Sequence, residues 1–370
     1  PAEQHLEVRC VNESSALRPK IFGTGLLALD LVMSADRSEP AHAWAGGTCG
    51  NVLAILALLG WDAFPVARLN KDAASQRVRA DLKKWGVQLK FASCGPTTDT
   101  PIIIQHILRA GDGAPRHRFS WSCPHCGSWL PSFKPVTTKA VGPVTEHFPG
   151  IKAFFMDRLS PAALLMAKSA ADNGAIVIFE PSAKCDERQL AQAVKLAHVI
   201  KYSDDRFASV AGAMEADSAT LVEVQTFGAQ GLRYRHRFGK GVSKWSSLDA
   251  VPAPVLADTC GSGDWCTAGL ISMSCAAGAD GLRRGGAVLV DSALRFGQKL
   301  AAWNVGFEGA RGGMYAIERA TLERVLHELA AGGNDWSDIG SARGRRKVAR
   351  VACPACPPQR RRAPSVAAAR

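Results

Sequence analysis

From residue 151 onward, short unbroken apolar runs alternate with longer stretches in which apolar residues recur every three to four positions. A short run without polar interruption suits a strand covered on both faces, and the longer period suits a helix with one buried stripe. The pattern predicts strands at 151–156, 175–179, 199–202 and 221–226. Helices are predicted from Ser160-Pro161 to about Asn173-Gly174, over 186–197 and over 204–214. Ser160 supplies a capping hydroxyl, and Pro161 has the fixed φ that suits a first helical position. Such alternation calls for right-handed crossovers and an α/β fold, with a doubly wound, mainly parallel sheet flanked by helices. Ligands of these sheets sit at the carboxyl ends of the strands.

The first 110 residues are less regular. They predict an opening strand at 21–26, a buried helix at 51–59, a second helix at 74–85 and a β-favouring run at 101–108. Residues 111–149 are rich in proline and glycine and show little period. The pieces flanking the main sheet are expected to form a small β-rich lid. No internal repeat is found. The expected organisation is an N-terminal extension at 1–20, one domain over 21–335 including the lid and an insert near 111–149, and a basic tail at 336–370.

Composition changes this picture in three places. At 370 residues and 47% hydrophobic content, the chain can bury a large core. Its longest apolar stretch, 52–61, is far short of the ~20 residues needed to cross a bilayer. With no leader-like segment, a cytoplasmic protein without a membrane partner is expected. The net charge of +12 is concentrated: residues 341–370 hold nine Lys or Arg and no acid, so only +3 remains for residues 1–340. A tail of this kind predicts a solvated basic extension, able to touch polyanions non-specifically. The cysteine count is odd, eleven, and favours buried thiols over a disulfide framework. Cys123-Pro124-His125-Cys126 stands apart. Two thiolates at this spacing could hold half of a tetrahedral Zn²⁺ site, with His117, His125 or the pair Cys353 and Cys356 as the other half.

The densest chemistry lies in Asp258-Thr259-Cys260-Gly261-Ser262-Gly263-Asp264, directly before an apolar helix predicted over 265–277. Glycines at 261 and 263 let backbone N–H groups close on an anion, and the positive helix end faces the same point. Asp264 is then a carboxylate where a hydroxyl could meet a terminal phosphate, as a general base requires. A second glycine turn, Gly46-Gly47-Thr48-Cys49-Gly50-Asn51, opens into the helix at 52–59. The Asn51 amide offers both a donor and an acceptor to a hydroxylated ligand, and Asp30 could accept from ligand hydroxyls. Read plainly, Asp30 is a loop acid and Asn51 a helix cap. A third turn, Thr226-Phe227-Gly228-Ala229-Gln230-Gly231, follows a predicted strand and suits either a nucleotide phosphate or a tight hairpin.

Taken in order, these pieces resemble the PfkB carbohydrate kinase family of the ribokinase-like fold, over about residues 21–330. Asp258–Asp264 is similar to the family's Asp-Thr-x-Gly-Ala-Gly-Asp signature, with Ser262 in the alanine position. Gly46-Gly47 through Asn51, ending at Leu59-Gly60, is similar to its N-terminal signature. Gly23 and Asp30 fall where the family's first strand meets the sugar, Thr226–Gly231 resembles its Thr-Leu-Gly-x-x-Gly turn, and Gly309-Ala310 its small pair near adenine. The resemblance implies an ATP-dependent transfer to a sugar, sugar-like alcohol or nucleoside. Asp264 would be the base, with the amides around Gly261, Ser262 and Gly263 as the anion hole. Asp30, Gly47 and Asn51 would hold the acceptor. Thr226, Gly228, Gly231, Gly309 and Ala310 would hold the nucleotide, and Mg²⁺ would bridge its phosphates. The resemblance also makes the lid the place where two subunits would pair if the protein is a homodimer, an oligomeric state the sequence leaves open.

Two segments depart from the family. Where it carries Asn-x-x-Glu to organise the metal's water shell, this chain has Ser203-Asp204-Asp205-Arg206. Asp204, Asp205 or, from the neighbouring strand, Glu180 would have to replace the missing acid. Asn70-Lys71-Asp72 also lacks the glycine that usually precedes the acidic turn near the lid. These departures keep two other readings open: a catalytically weak nucleotide or sugar sensor, and a zinc- and nucleic-acid-binding module built on the cysteine pairs and the tail.

Overall fold

Strands made of Ile-Phe, Ala-Phe-Phe-Met and Ile-Val-Ile-Phe must be covered on both sides, and two layers of helices supply that cover. The computed structural model describes residues 17–34, 41–111, 115–124, 126–182 and 185–333. The chain opens with β1 (Lys20–Thr24), β2 (Ala28–Met33), β3 (His42–Gly46), α1 (Thr48–Leu58), β4 (Asp62–Val66), α2 (Ala73–Lys84), β5 (Ile102–Arg109) and β6 (Pro115–Ser120). It continues through α3 (Val141–Thr145), β7 (Ala153–Met156), α4 (Pro161–Asp172), β8 (Ile176–Phe179), α5 (Glu187–Leu196), β9 (Val199–Ser203), β10 (Val222–Thr226), β11 (Leu232–His236) and β12 (Ser246–Leu248). Four helices close it: α6 (Ser262–Ser274), α7 (Gly278–Asn304), α8 (Gly312–Ala316) and α9 (Arg319–Ala330).

The large sheet has the order β12-β11-β10-β9-β8-β7-β1-β4. It is parallel from β10 to β4 and antiparallel at β11 and β12. Alternate residues feed two separate cores. Phe22, Phe154, Met156, Val177 and Phe179 join α4 and α5, while Ile21, Phe155, Ile176, Ile178 and Val199 join α1, α6 and α7. This two-sided cover is what the apolar runs demand. As predicted, Ser160 caps α4 by accepting from Ala163 N, with Pro161 at its first position.

Strands β3-β2-β5-β6 form the lid, in which β2 and β5 run parallel and the other two pairings are antiparallel. Here the structure revises the sequence reading. The opening strand ends at Thr24, and Asp30 lies within β2 rather than in a loop. β4 holds Pro65, which hid it from the apolar pattern, yet as an edge strand it tolerates the missing donor. The helix expected over 204–214 is absent. Asp204 N bonds Thr226 O, Arg206 N and Phe207 N both return to Ser203 O, and Gly212 has φ 79°, so this stretch is spent on turns. Among the described residues, no helix is long and apolar enough to cross a membrane.

Candidate active site

The glycine turn before α6 is held from beneath. Asp258 is buried, and its carboxylate accepts from Cys260 N (3.0 Å), Gly309 N (2.9 Å) and Gln105 Nε2 (2.5 Å). Gly261 caps α6 with φ 78°, and a Cβ there would stand 2.3 Å from Ala310 O. Only glycine fits. Ser262 and Gly263 follow in the first turn of α6, where backbone N–H groups have no partners within the helix. Below them, Lys201 Nζ donates to Gly263 O (3.2 Å) and to Glu180 Oε1 (2.8 Å), and Thr267 Oγ1 donates to Glu180 Oε2 (2.5 Å). Burial pulls the Lys201 pKa down, but Glu180, with Cys266 and Asp264, outweighs it, so the net shift is upward and the ammonium stays charged.

Asp264 lies in the same first turn, part-buried, and its Oδ2 accepts from Asn51 Nδ2 at 2.7 Å. Burial pushes its carboxyl up to about 7, with Glu180 adding to the rise and Asn51, Lys201 and Arg206 opposing it. A carboxylate of this basicity is matched to taking a proton near neutral pH. Cys260 lies among Asp258, Asp30 and Asp264, and burial together with those three acids drives its thiol well up, so it stays neutral.

On the lid side, Asp30 Oδ2 accepts from Gly47 N (3.4 Å), while its buried Oδ1 has no hydrogen-bond partner among the described residues. Burial raises the Asp30 pKa to about 6, against the pull of Gly47 and Arg311. Side chains are excluded at both neighbouring glycines. A Cβ on Gly46 would meet the Asp30 carboxylate, and one on Gly47, φ 78°, would lie 2.4 Å from Leu26 O.

At the carboxyl end of the sheet, Thr226 ends β10 beside Ser203 of β9. Gly228 and Gly231 turn the chain into β11 with φ 56° and 90°, so the third glycine turn is a hairpin. A Cβ on Gly231 would be 2.2 Å from Leu248 O. Asp204, Asp205 and Arg206 are exposed next to this hairpin. Gly309 and Ala310 pack against the α6 turn, with Ala310 O accepting from Trp265 Nε1 and Asn304 Nδ2.

Among the described residues, no zinc site assembles. Cys123 is buried and Cys126 exposed, and among the described residues no three His, Cys, Asp or Glu side chains are grouped to hold a metal. His117 is engaged elsewhere, 3.3 Å from Thr259 Oγ1 and 3.7 Å from the Asp258 carboxylate, while His125, Cys353 and Cys356 lie outside the described residues. Conversely, Lys201, Gln105, Asp81 and Arg311 join the site although no motif marks them. A lysine inside an otherwise apolar strand run was the one available signal, since a buried ammonium needs a carboxylate.

Residues 32–316 match the pfkB family carbohydrate kinase. No curated protein matches the chain. Among solved structures, the chain is similar to the fructokinase from Xylella fastidiosa with bound ATP, at 19% identity and a TM-score of 0.62, over 80% of this chain and 94% of that one. The Burkholderia thailandensis nucleoside kinase in complex with inosine gives 20% identity and 0.59, over 85% and 98%. The Arabidopsis thaliana ribokinase complexed with ribose and ATP gives 16% and 0.59, over 84% and 99%. At such identities the shared property is the fold.

Proposed function

The chain belongs to the pfkB family of carbohydrate kinases, phosphotransferases with an alcohol acceptor, and on that premise we propose that it moves the γ-phosphoryl group of ATP onto a hydroxyl of a neutral sugar, sugar-like alcohol or nucleoside. Asp264 takes the hydroxyl proton as the acceptor oxygen bonds to the γ-phosphorus. The bond to the bridging oxygen breaks, and ADP leaves with that electron pair. The observation that carries this reading is the placement of a carboxyl with a pKa of about 7 in the first turn of a helix opened by a glycine anion turn. The N–H groups of the Gly261–Gly263 turn would meet the charge that develops on the transferred group.

Asp30 Oδ1, buried without a partner, suits an acceptor hydroxyl, with Gly47 allowing close approach. The carboxylates of Asp30 and Asp264 at the same site favour a neutral acceptor over an anionic one. Thr226, Gly228 and Gly231 would hold the nucleotide at the sheet edge, with Gly309 and Ala310 bracing the turn beneath. Mg²⁺, when bound, would neutralise phosphate charge. The exposed Asp204 and Asp205 fit an outer-sphere role in holding it. Glu180 fits less well, because both of its oxygens are taken by Lys201 and Thr267. The exposed lid residues Trp121 and Trp129 suit a second copy of the chain, which a solution molar mass would reveal as a dimer.

The test is ATP turnover against a panel of sugars and nucleosides, with Asp264→Asn as control. Loss of about 10²–10⁴-fold in the variant is expected. Equal, slow turnover of every acceptor by both proteins would favour the sensor reading, which Arg206 in the place of an acid supports.

A further inference from the structure

Asn51 is buried, and both ends of its amide are committed. Its Nδ2 donates to Asp264 Oδ2 at 2.7 Å, and its Oδ1 accepts from Arg311 Nε at 3.0 Å. An amide has one accepting and one donating end, whereas a guanidinium only donates. Arg311 therefore reinforces, from the far end, the orientation that the Asp264 carboxylate favours at the near end. With the arginine in place, Oδ1 must turn to it and Nδ2 must turn to the carboxylate. Without it, the amide would be held at the Asp264 end alone, and its oxygen would be left without a donor.

The arginine is itself fixed. It is 1% exposed, and its Nη2 donates to Ala45 O and to Asp81 Oδ2 (3.1 Å). The same Asp81 oxygen accepts from Tyr315 Oη (2.7 Å) and Ala45 N (2.8 Å). The Tyr315 ring stacks on Trp44 at 4.2 Å. Such a buried ion pair adds little stability over an apolar substitute, so its polar cost calls for another role.

We propose that Arg311, anchored by Asp81, is a positioning residue that locks the Asn51 amide so that one oxygen of Asp264 is pinned and the other is left for the acceptor hydroxyl. This deepens the kinase reading and rests on it. It also moves Asn51 from holding the acceptor to holding the base. The other groups around Asp264 are Glu180, Lys201, Arg206, Cys49 and Cys260, and among the described residues none of them hydrogen-bonds to the far end of the amide.

The test uses the full chain and two readouts. Because Arg311→Met alone would strand a buried Asp81, Arg311→Met is combined with Asp81→Asn, and folding is checked by thermal denaturation. With ATP and whichever of fructose, ribose or inosine the wild type turns over fastest, kcat should fall about 100-fold with KM for ATP unchanged, the scale expected when a reacting group is misplaced. In an Asn51→Leu background the same pair of substitutions should cost nothing further, because the effect runs through the amide. Independently of activity, the Asn51 side-chain amide signal, assigned by its loss in Asn51→Leu, should leave its hydrogen-bonded position in the Arg311 variant. Additive losses in the two backgrounds, or an unmoved amide signal, would overturn the proposal. If the wild type turned over no acceptor, the kinase reading would fail, and the amide signal would still decide whether Arg311 sets the orientation.

Discussion

The proton transfer proposed for Asp264 would depend on its charge state, and burial raises its carboxyl toward neutral pH. Its carboxyl is raised to about 7 chiefly by burial. Since the ionised form is the base, kcat/KM should fall as pH drops through about 7, roughly tenfold per unit below it. A pH profile flat down to 5 would exclude Asp264 from that step. The same shift affects stability. A carboxyl near 3.8 in the unfolded chain and near 7 when folded keeps an extra proton in the folded state between those values. Its contribution to stability is therefore lost as pH rises toward 7. Asp264→Asn, which cannot ionise, should melt above the wild type at pH 8 and match it near pH 4. Nothing about residue 264 in the sequence reveals this shift. Asp264 was legible as an acid at a helix start, but its basicity comes from burial and from Glu180, against the pull of Asn51, Lys201 and Arg206, all of them brought in from elsewhere in the chain.

Among elements, the site depends on how closely α6 and α7 approach. A Cβ on Gly269 of α6 would lie 2.5 Å from Gly297 Cα of α7, and one on Gly297 would lie 2.4 Å from Cys266 O. Gly269→Val should cost about 1–3 kcal/mol by overpacking, read from urea denaturation. Loss of activity without loss of stability would mean that the helix instead shifts to fit. The parallel strands of the large sheet other than β4, and α4, were legible because each needs only its own contiguous pattern of apolar residues and caps. β2 and β3 were not, and β6, Pro-Arg-His-Arg-Phe-Ser, has no apolar alternation at all. Lid strands of this kind exist only because partners hydrogen-bond to them. The misread stretch at 204–214 shows the converse, a helical period overridden when Asp204 N is drawn to Thr226 O.

Across the whole molecule, the lid is tied to the signature turn. Gln105 of β5 donates to Asp258, His117 of β6 meets Thr259, and Ser34 Oγ donates to Glu308 Oε1 at 2.9 Å. Gln105→Leu removes a hydrogen bond to a charged group, worth about 1.5–3 kcal/mol. Amide exchange should quicken in β2 and β5 while β8 and α4 keep their protection. A uniform rise would mean that the lid and sheet open together. The basic tail belongs to this scale as well. Deleting residues 341–370 removes nine positive charges and should lower the salt needed to elute the protein from heparin, leaving its thermal midpoint and turnover unchanged.

The sequence by itself determined the two-sided sheet, the glycine turn and the acid beside it, since strand runs, turn glycines and a helix start are each written in adjacent residues. Only the tertiary structure decided what surrounds that acid. Asn51 reaches Asp264 across 213 residues, and Arg311 reaches Asn51 across 260. Hydrogen bonds and desolvation act over a few ångströms of space whatever the separation along the chain, so orientation and basicity appear only once the chain has folded.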